Sequence, residues 1–176
     1  MLRFVLLAAS TATLVHSADH RIKDVKVRIL STMLADSGIG EWGFAALVEA
    51  DGHRILFDTG AREETVLRNA REMKIDLASI TDVILSHNHG DHTGGLLTLR
   101  RELRKTNPAA LSRAHVGDGI FLSRADTSGN EQNHLRNIRA SYEALGGQFI
   151  VYQEPKQIFP GAWFTGPVAR KYPEKN

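Results

Sequence analysis

The sequence predicts an α+β fold, a layered sandwich more than a doubly wound sheet. Three observations predict it. Short β-branched runs recur along the chain, stretches of helical spacing separate the later ones, and an Asp-Gly turn joins two early runs into a hairpin. At 176 residues, 42% of them hydrophobic, the chain fits one domain with enough apolar content for a core.

The elements follow in order. Val25 to Leu30 (VKVRIL) alternates and reads as a strand. A loop rich in Gly, Ser and Asp leads to Phe44–Glu49, the turn Asp51-Gly52, and a return strand Arg54–Phe57 that ends in Asp58-Thr59-Gly60. These three strands are close in sequence and are expected to be antiparallel neighbours. Thr65 to Lys74 has Val66, Leu67, Ala70 and Met73 at helical spacing. Asp82–Ser86 is a short buried strand. A second helix runs from Gly94 through GLLTLRRELRKTN until Pro108 stops it. RAHV, from Arg113, reads as a strand and GDGIFLSRADTSGNEQN as an irregular excursion. Asn133–Leu145 is a third helix that ends at Gly146-Gly147, and QFIVY and AWFTG are late strands.

Composition narrows the function. With 22 basic and 20 acidic residues the net charge is +2, which gives no electrostatic argument for nucleic acid. The absence of cysteine excludes disulfides, thiolate metal sites and cysteine nucleophiles, so a metal would be held by nitrogen and oxygen. The first residues have the pattern of an export signal, residues 1–17. Arg3 precedes an apolar run from Phe4 to Val15, and Val15-x-Ser17 fits cleavage before Ala18. That run is short for a bilayer span, and no cysteine follows it to carry a lipid anchor. The expectation is an exported protein, periplasmic or secreted, with no stable membrane anchor.

The chemistry concentrates in ILSHNHGDHTGGL, Ile84 to Leu96, which sets His87, His89, Asp91 and His92 within six residues. Imidazole and carboxylate are the donors a borderline divalent ion takes when no thiolate is present. His87 and His89, two apart in an extended segment, project to one side and suit one ion. Asp91 and His92 follow the turn at Gly90 and suit a second ion beside the first.

SHNHGDHTGG resembles the H-x-H-x-D-H pattern of the metallo-β-lactamase fold, and the hairpin leading to ILFDTG is similar to that family's strand ending in aspartate. The resemblance covers Val25 to Leu103 best. It implies the N-terminal portion of an αββα sandwich over residues 18–176. It further implies a zinc site of one or two ions, or iron or manganese, with a metal-bound hydroxide attacking an ester, lactone, amide or phosphoester of a small molecule. His87, His89, Asp91 and His92 would be the ligands. Asp91 would also orient the hydroxide, and Asp58 would support the loop by hydrogen bonds. SHNHGDHTGGL and FTGPVAR are also similar to the subgroup of dihydropterin–ribofuranosylaminobenzene phosphate synthase, with Ala169 where that subgroup's T-G-x-x-P-R element leads one to expect proline.

The family pattern calls for further ligands downstream. Of His115, Asp118, Asp126 and His134, His115 reads as structural or substrate-facing, His134 as a surface residue and Asp118 as a turn residue. His20 and His53 carry no functional signal. Trp42 suits either a substrate mouth or a core anchor. The expectation is therefore a domain incomplete at its C-terminus, completed by a missing half or an oligomeric partner. Such a domain would expose one face of its sheet. Two other readings are an iron-dependent oxidoreductase of the same fold and a non-catalytic, truncated metal-binding protein.

Overall fold

The computed structural model describes residues 21–125 and 127–168. The expected signal segment, His20, Asp126 and Ala169 lie outside the described residues. Six strands form the central sheet: β1 (Val25–Ser31), β2 (Ala45–Ala50), β3 (His53–Phe57), β4 (Asp82–Ile84), β5 (Arg113–Gly117) and, after three intervening elements, β8 (Gln148–Tyr152). Their order is β1-β2-β3-β4-β5-β8. The first three pair antiparallel, as expected from the short connections. The pairs β3/β4, β4/β5 and β5/β8 are parallel, because helices intervene and return the chain to the same end.

Register explains the core. Leu47, Leu56, Val83 and Ala114 stand opposite one another from β2 to β5, and Phe149 continues the row on β8. The first four are fully buried. Three helices supply the facing layer: α1 (Thr65–Glu72) with Val66, Leu67 and Ala70, α3 (Leu96–Leu103) with Leu96 and Leu99, and α4 (His134–Ala144) with Leu135, Ile138 and Tyr142. Period 2 on the strands and period 3.6 on the helices thus bury one layer against the other.

The other face of the sheet is less covered. Val25, Val27 and Ile29 on β1 are exposed. Farther along, a two-stranded ribbon, β9 (Lys156–Phe159) and β10 (Ala162–Phe164), lies against this face. Phe159 stacks on His53 and Phe164 on Tyr152.

Three details differ from the sequence reading. The second helix does not start at Gly94. A separate helical turn, α2 (Gly90–Thr93), precedes α3, and the chain bends between them at Gly94-Gly95. The excursion after β5 contains a small pair, β6 (Arg124–Ala125) and β7 (Glu131–Gln132). Strand β9 was not expected, since Lys-Gln-Ile-Phe after a proline carries no alternation long enough to read. No helix among the described residues is long and apolar enough to cross a membrane.

Candidate metal centre

The centre is built where β3 and β4 end side by side. Asp58, just past β3, has no exposed surface and a positive φ of 57°, a left-handed conformation that aspartate tolerates better than most residues. Its carboxylate accepts hydrogen bonds from the Ser86 backbone N–H at 2.8 Å and the Ser86 hydroxyl at 2.7 Å. It also bonds His92 Nδ1 at 2.7 Å. Ser86 leaves the β4 ladder to make these bonds, so the loop with the histidines starts from a fixed point.

Those bonds decide which imidazole nitrogens are free. An ionised carboxylate only accepts, so His92 carries its proton on Nδ1 and its Nε2 keeps a lone pair. The Ser86 hydroxyl spends its proton on Asp58, so at 2.9 Å from His87 Nδ1 its oxygen accepts from that nitrogen. His87 is thereby held with Nε2 free as well. One buried aspartate orients both rings, one directly and one through Ser86.

The helical turn brings the rest together. Because α2 starts at Gly90, His92 folds back over the preceding segment and its ring lies 4.2 Å from that of His87, centroid to centroid. Donor atoms of His87, Asp91 and His92 lie within 4.8 Å of one another. Asp91 Oδ2 is 3.7 Å from His92 Nε2. His89 caps α2 with extended backbone, and its ring stands edge-on to His87 at 4.6 Å. His87 thus has His89 on one side and His92 on the other, and the helical turn after His89 brings Asp91 and His92 back toward His87. Two half-exposed imidazoles and a carboxylate in this arrangement fit a divalent ion by donor type and by number. Burial, followed by the nearby rings of His92 and His89, lowers the His87 pKa below the ordinary histidine value, which favours the neutral form a ligand needs.

Close packing explains the Gly-Gly that follows. A Cβ on Gly94 would stand 1.9 Å from the Ala61 carbonyl oxygen, and one on Gly95 would stand 2.3 Å from that of Thr59. The Gly94 N–H donates to Gly60 O at 2.9 Å. The histidine turn thus rests directly on the loop after β3. Glu41, which the sequence reading passed over, fixes that loop from below. It is buried and accepts from the N–H groups of Ala61 and Arg62 and from the hydroxyls of Ser31 and Thr65. Arg100 was also passed over. It is buried between helices and donates to the carbonyls of Pro108, Ala110, Leu145 and Gly146.

The remaining candidates fall elsewhere. His115 is buried on β5, with Nε2 on Asp82 at 2.7 Å and Nδ1 on the Tyr152 hydroxyl at 2.8 Å. His134 opens α4 behind its N-cap Asn133, and His53 stacks on Phe159. Trp42 is 74% exposed, so it anchors no core, and it does not line the cavity beside the histidines. Asp118 does line it. That cavity, about 1130 Å³, runs from Ser86, His87 and His89 to Ile120, Leu122, Trp163 and Phe164. Thr165 to Val168 of the FTGPV stretch border it as well. Leu122 and Trp163 carry no local sequence signal, because separate loops bring them to the cavity.

An aspartate at a strand end, a histidine-rich turn on the neighbouring strand and a Gly-Gly bend thus meet in one site. Residues 43–143 match the family model of the metallo-beta-lactamase superfamily, and the chain belongs to that superfamily, whose members are commonly hydrolases. Over 157 residues it is 28% identical to the 7,8-dihydropterin-6-methyl-4-(beta-D-ribofuranosyl)-aminobenzene-5'-phosphate synthase of Methanocaldococcus jannaschii, covering 84% of this chain and 52% of that protein. Over 88 residues it is 35% identical to the hydroxyacylglutathione hydrolase of Xanthomonas axonopodis pv. citri, covering 46% of this chain and 33% of that one. The chain thus spans about half the length of the first relative and a third of the second. Among solved structures, a diphosphatase of the PhnP family superposes with a TM-score of 0.51 at 16% identity, over 80% of this chain and 55% of that one.

Proposed function

We propose that the chain provides the metal-binding part of an exported hydrolase acting on an ester, lactone, amide or phosphoester of a small molecule. The observation that carries this is the set of free nitrogens. Asp58 and Ser86 occupy the Nδ1 atoms of His92 and His87, and the Asp91 carboxylate stands within reach of both rings. In this reading His87, Asp91 and His92 hold the cation, zinc by preference and iron or manganese as alternatives, and His89 joins from the N-cap of α2. A divalent ion held there would supply an activated water and polarise the bond under attack.

The chain's own groups do the rest. Asp91 would offset part of the cation's charge and would orient the attacking water by accepting its hydrogen bond. Asp58 keeps both imidazoles in the ligand tautomer. The cavity beside His87 and His89 receives the substrate and limits its exposure to bulk water. Likeness to a superfamily rich in hydrolases supports the reaction class.

Metal analysis and turnover test the proposal together. Purified protein given zinc should bind it and cleave at least one member of a panel of esters, lactones, amides and phosphoesters. His87→Ala and His92→Ala should each lose at least about a hundredfold of that activity along with the metal. Retained metal and activity in both variants would sink the proposal.

A further inference from the structure

The cavity beside the histidines has a mixed lining. Ser86, Asn88 and the histidines are polar. Its apolar lining comes from Phe57 and Ile84 on the sheet, Ile120 and Leu122 in the turn after β5, and Trp163 and Phe164 on β10. Leu122 is 73% exposed and Trp163 is 63% exposed. Single exposed apolar residues are ordinary on a surface. Here they converge from separate segments on the cavity that the histidines also line.

The wall is also held in place. The Leu122 carbonyl accepts from Asn133 Nδ2 at 3.2 Å, and Asn133 is a buried residue that also caps α4. The Leu122 carbonyl accepts again from Asn88 Nδ2 at 3.4 Å, which ties the turn bearing Leu122 to the histidine loop itself. On the far side the stacking of Phe164 on Tyr152, 5.0 Å between centroids, anchors the strand that carries Trp163. Apart from the histidines, the charged side chain among the described lining residues is that of Asp118.

We infer that the substrate carries an uncharged apolar arm, acyl or aryl, that lies against Leu122 and Trp163 while its scissile bond stands at the histidines. The inference rests on the hydrolytic reading of that site. It assigns the apolar wall to substrate selection and makes Leu122 and Trp163 specificity-determining residues.

Binding and turnover test it separately. In a Trp42→Phe background the remaining tryptophan is Trp163, and its fluorescence reports the wall whether or not the protein turns over substrate. Titration with 1-decanol should give a saturable blue shift. Glycerol phosphate should give none, and Leu122→Ser should weaken the decanol response at least tenfold. On the zinc-loaded full chain, kcat/KM for p-nitrophenyl esters should rise by about fourfold per added methylene over the first few members. That slope should flatten in Leu122→Ser and Trp163→Ser. Saturable decanol binding without hydrolysis of any ester would remove the hydrolytic reading and leave the apolar subsite standing. Hydrolysis with a flat chain-length profile and no fluorescence response would do the reverse and overturn the inference. So would a ligand-free dimer in analytical ultracentrifugation with Trp163 already shielded, because a second copy would then cover the wall.

Discussion

Asp58, just past the end of β3, and Asp82, at the start of β4, each bond imidazole, and the two arrays leave opposite remainders. Asp58 takes His92 Nδ1 and, through Ser86, orients His87, so two Nε2 atoms are left facing Asp91. Asp82 takes His115 Nε2 while Tyr152 takes Nδ1, so no ring nitrogen is left. Arg113 and Thr81 bond the Asp82 carboxylate further. Burial works against ionisation there, yet the bonds from His115, Arg113 and Thr81 hold the Asp82 carboxyl well below the usual carboxylate range. Burial, with Asp82 nearby, raises the Tyr152 pKa, so the phenol keeps its proton and donates it to His115. A carboxylate partner is common to both arrays. What separates a ligand-ready histidine from a structural one is the nitrogen left over.

The contrast can be broken by mutation. The largest effect on zinc binding is expected at Asp58. Asp58→Ala removes the acceptor that fixes both tautomers, and zinc affinity measured by calorimetric titration should fall by about 10- to 100-fold. Unchanged affinity would mean that the network does not position the rings. On stability the largest effect is expected from Gly94→Ala, about 2–4 kcal/mol in urea unfolding, because its Cβ meets the Ala61 backbone, where no rotamer can relieve the clash. In the closed array, His115→Gln should cost about 1–3 kcal/mol of stability and leave zinc affinity within about twofold. A large loss of zinc in that variant would erase the distinction between the arrays.

The smallest effect is a pH dependence. Because the folded Asp82 carboxyl sits below its ordinary 3.8, the unfolded chain takes up the proton first. Its contribution to stability is complete above about pH 4 and is lost as pH falls through the folded value. Asp82→Asn should therefore show a flatter decline in stability below pH 4 than the parent protein, as followed by circular dichroism.

Much of this was legible in the sequence, for local reasons. The hairpin through Asp51-Gly52 and the three early strands depend on turn chemistry and alternation that neighbouring residues carry. The four candidate ligands and Asp58 sit in short, dense stretches, so they could be named before any fold was known. Their grouping could not be read. Whether Asp91 and His92 point away from His87 or back onto it depends on a helical turn of four residues, too short for periodicity to reveal. The parallel half of the sheet depends on how helices return the chain, and Leu122, Trp163, Glu41 and Arg100 owe their roles to contacts across distant segments. Such contacts leave no trace in local spacing.

The central claim is that Asp58 and Ser86 hold His87 and His92 with Nε2 unprotonated, ready for a cation. Long-range proton–nitrogen correlation spectra of the metal-free, ¹⁵N-labelled protein at mildly alkaline pH read each imidazole tautomer directly. The account predicts Nδ1–H rings for His87 and His92 and an Nε2–H ring for His115. Nε2–H signals from His87 and His92 would contradict it.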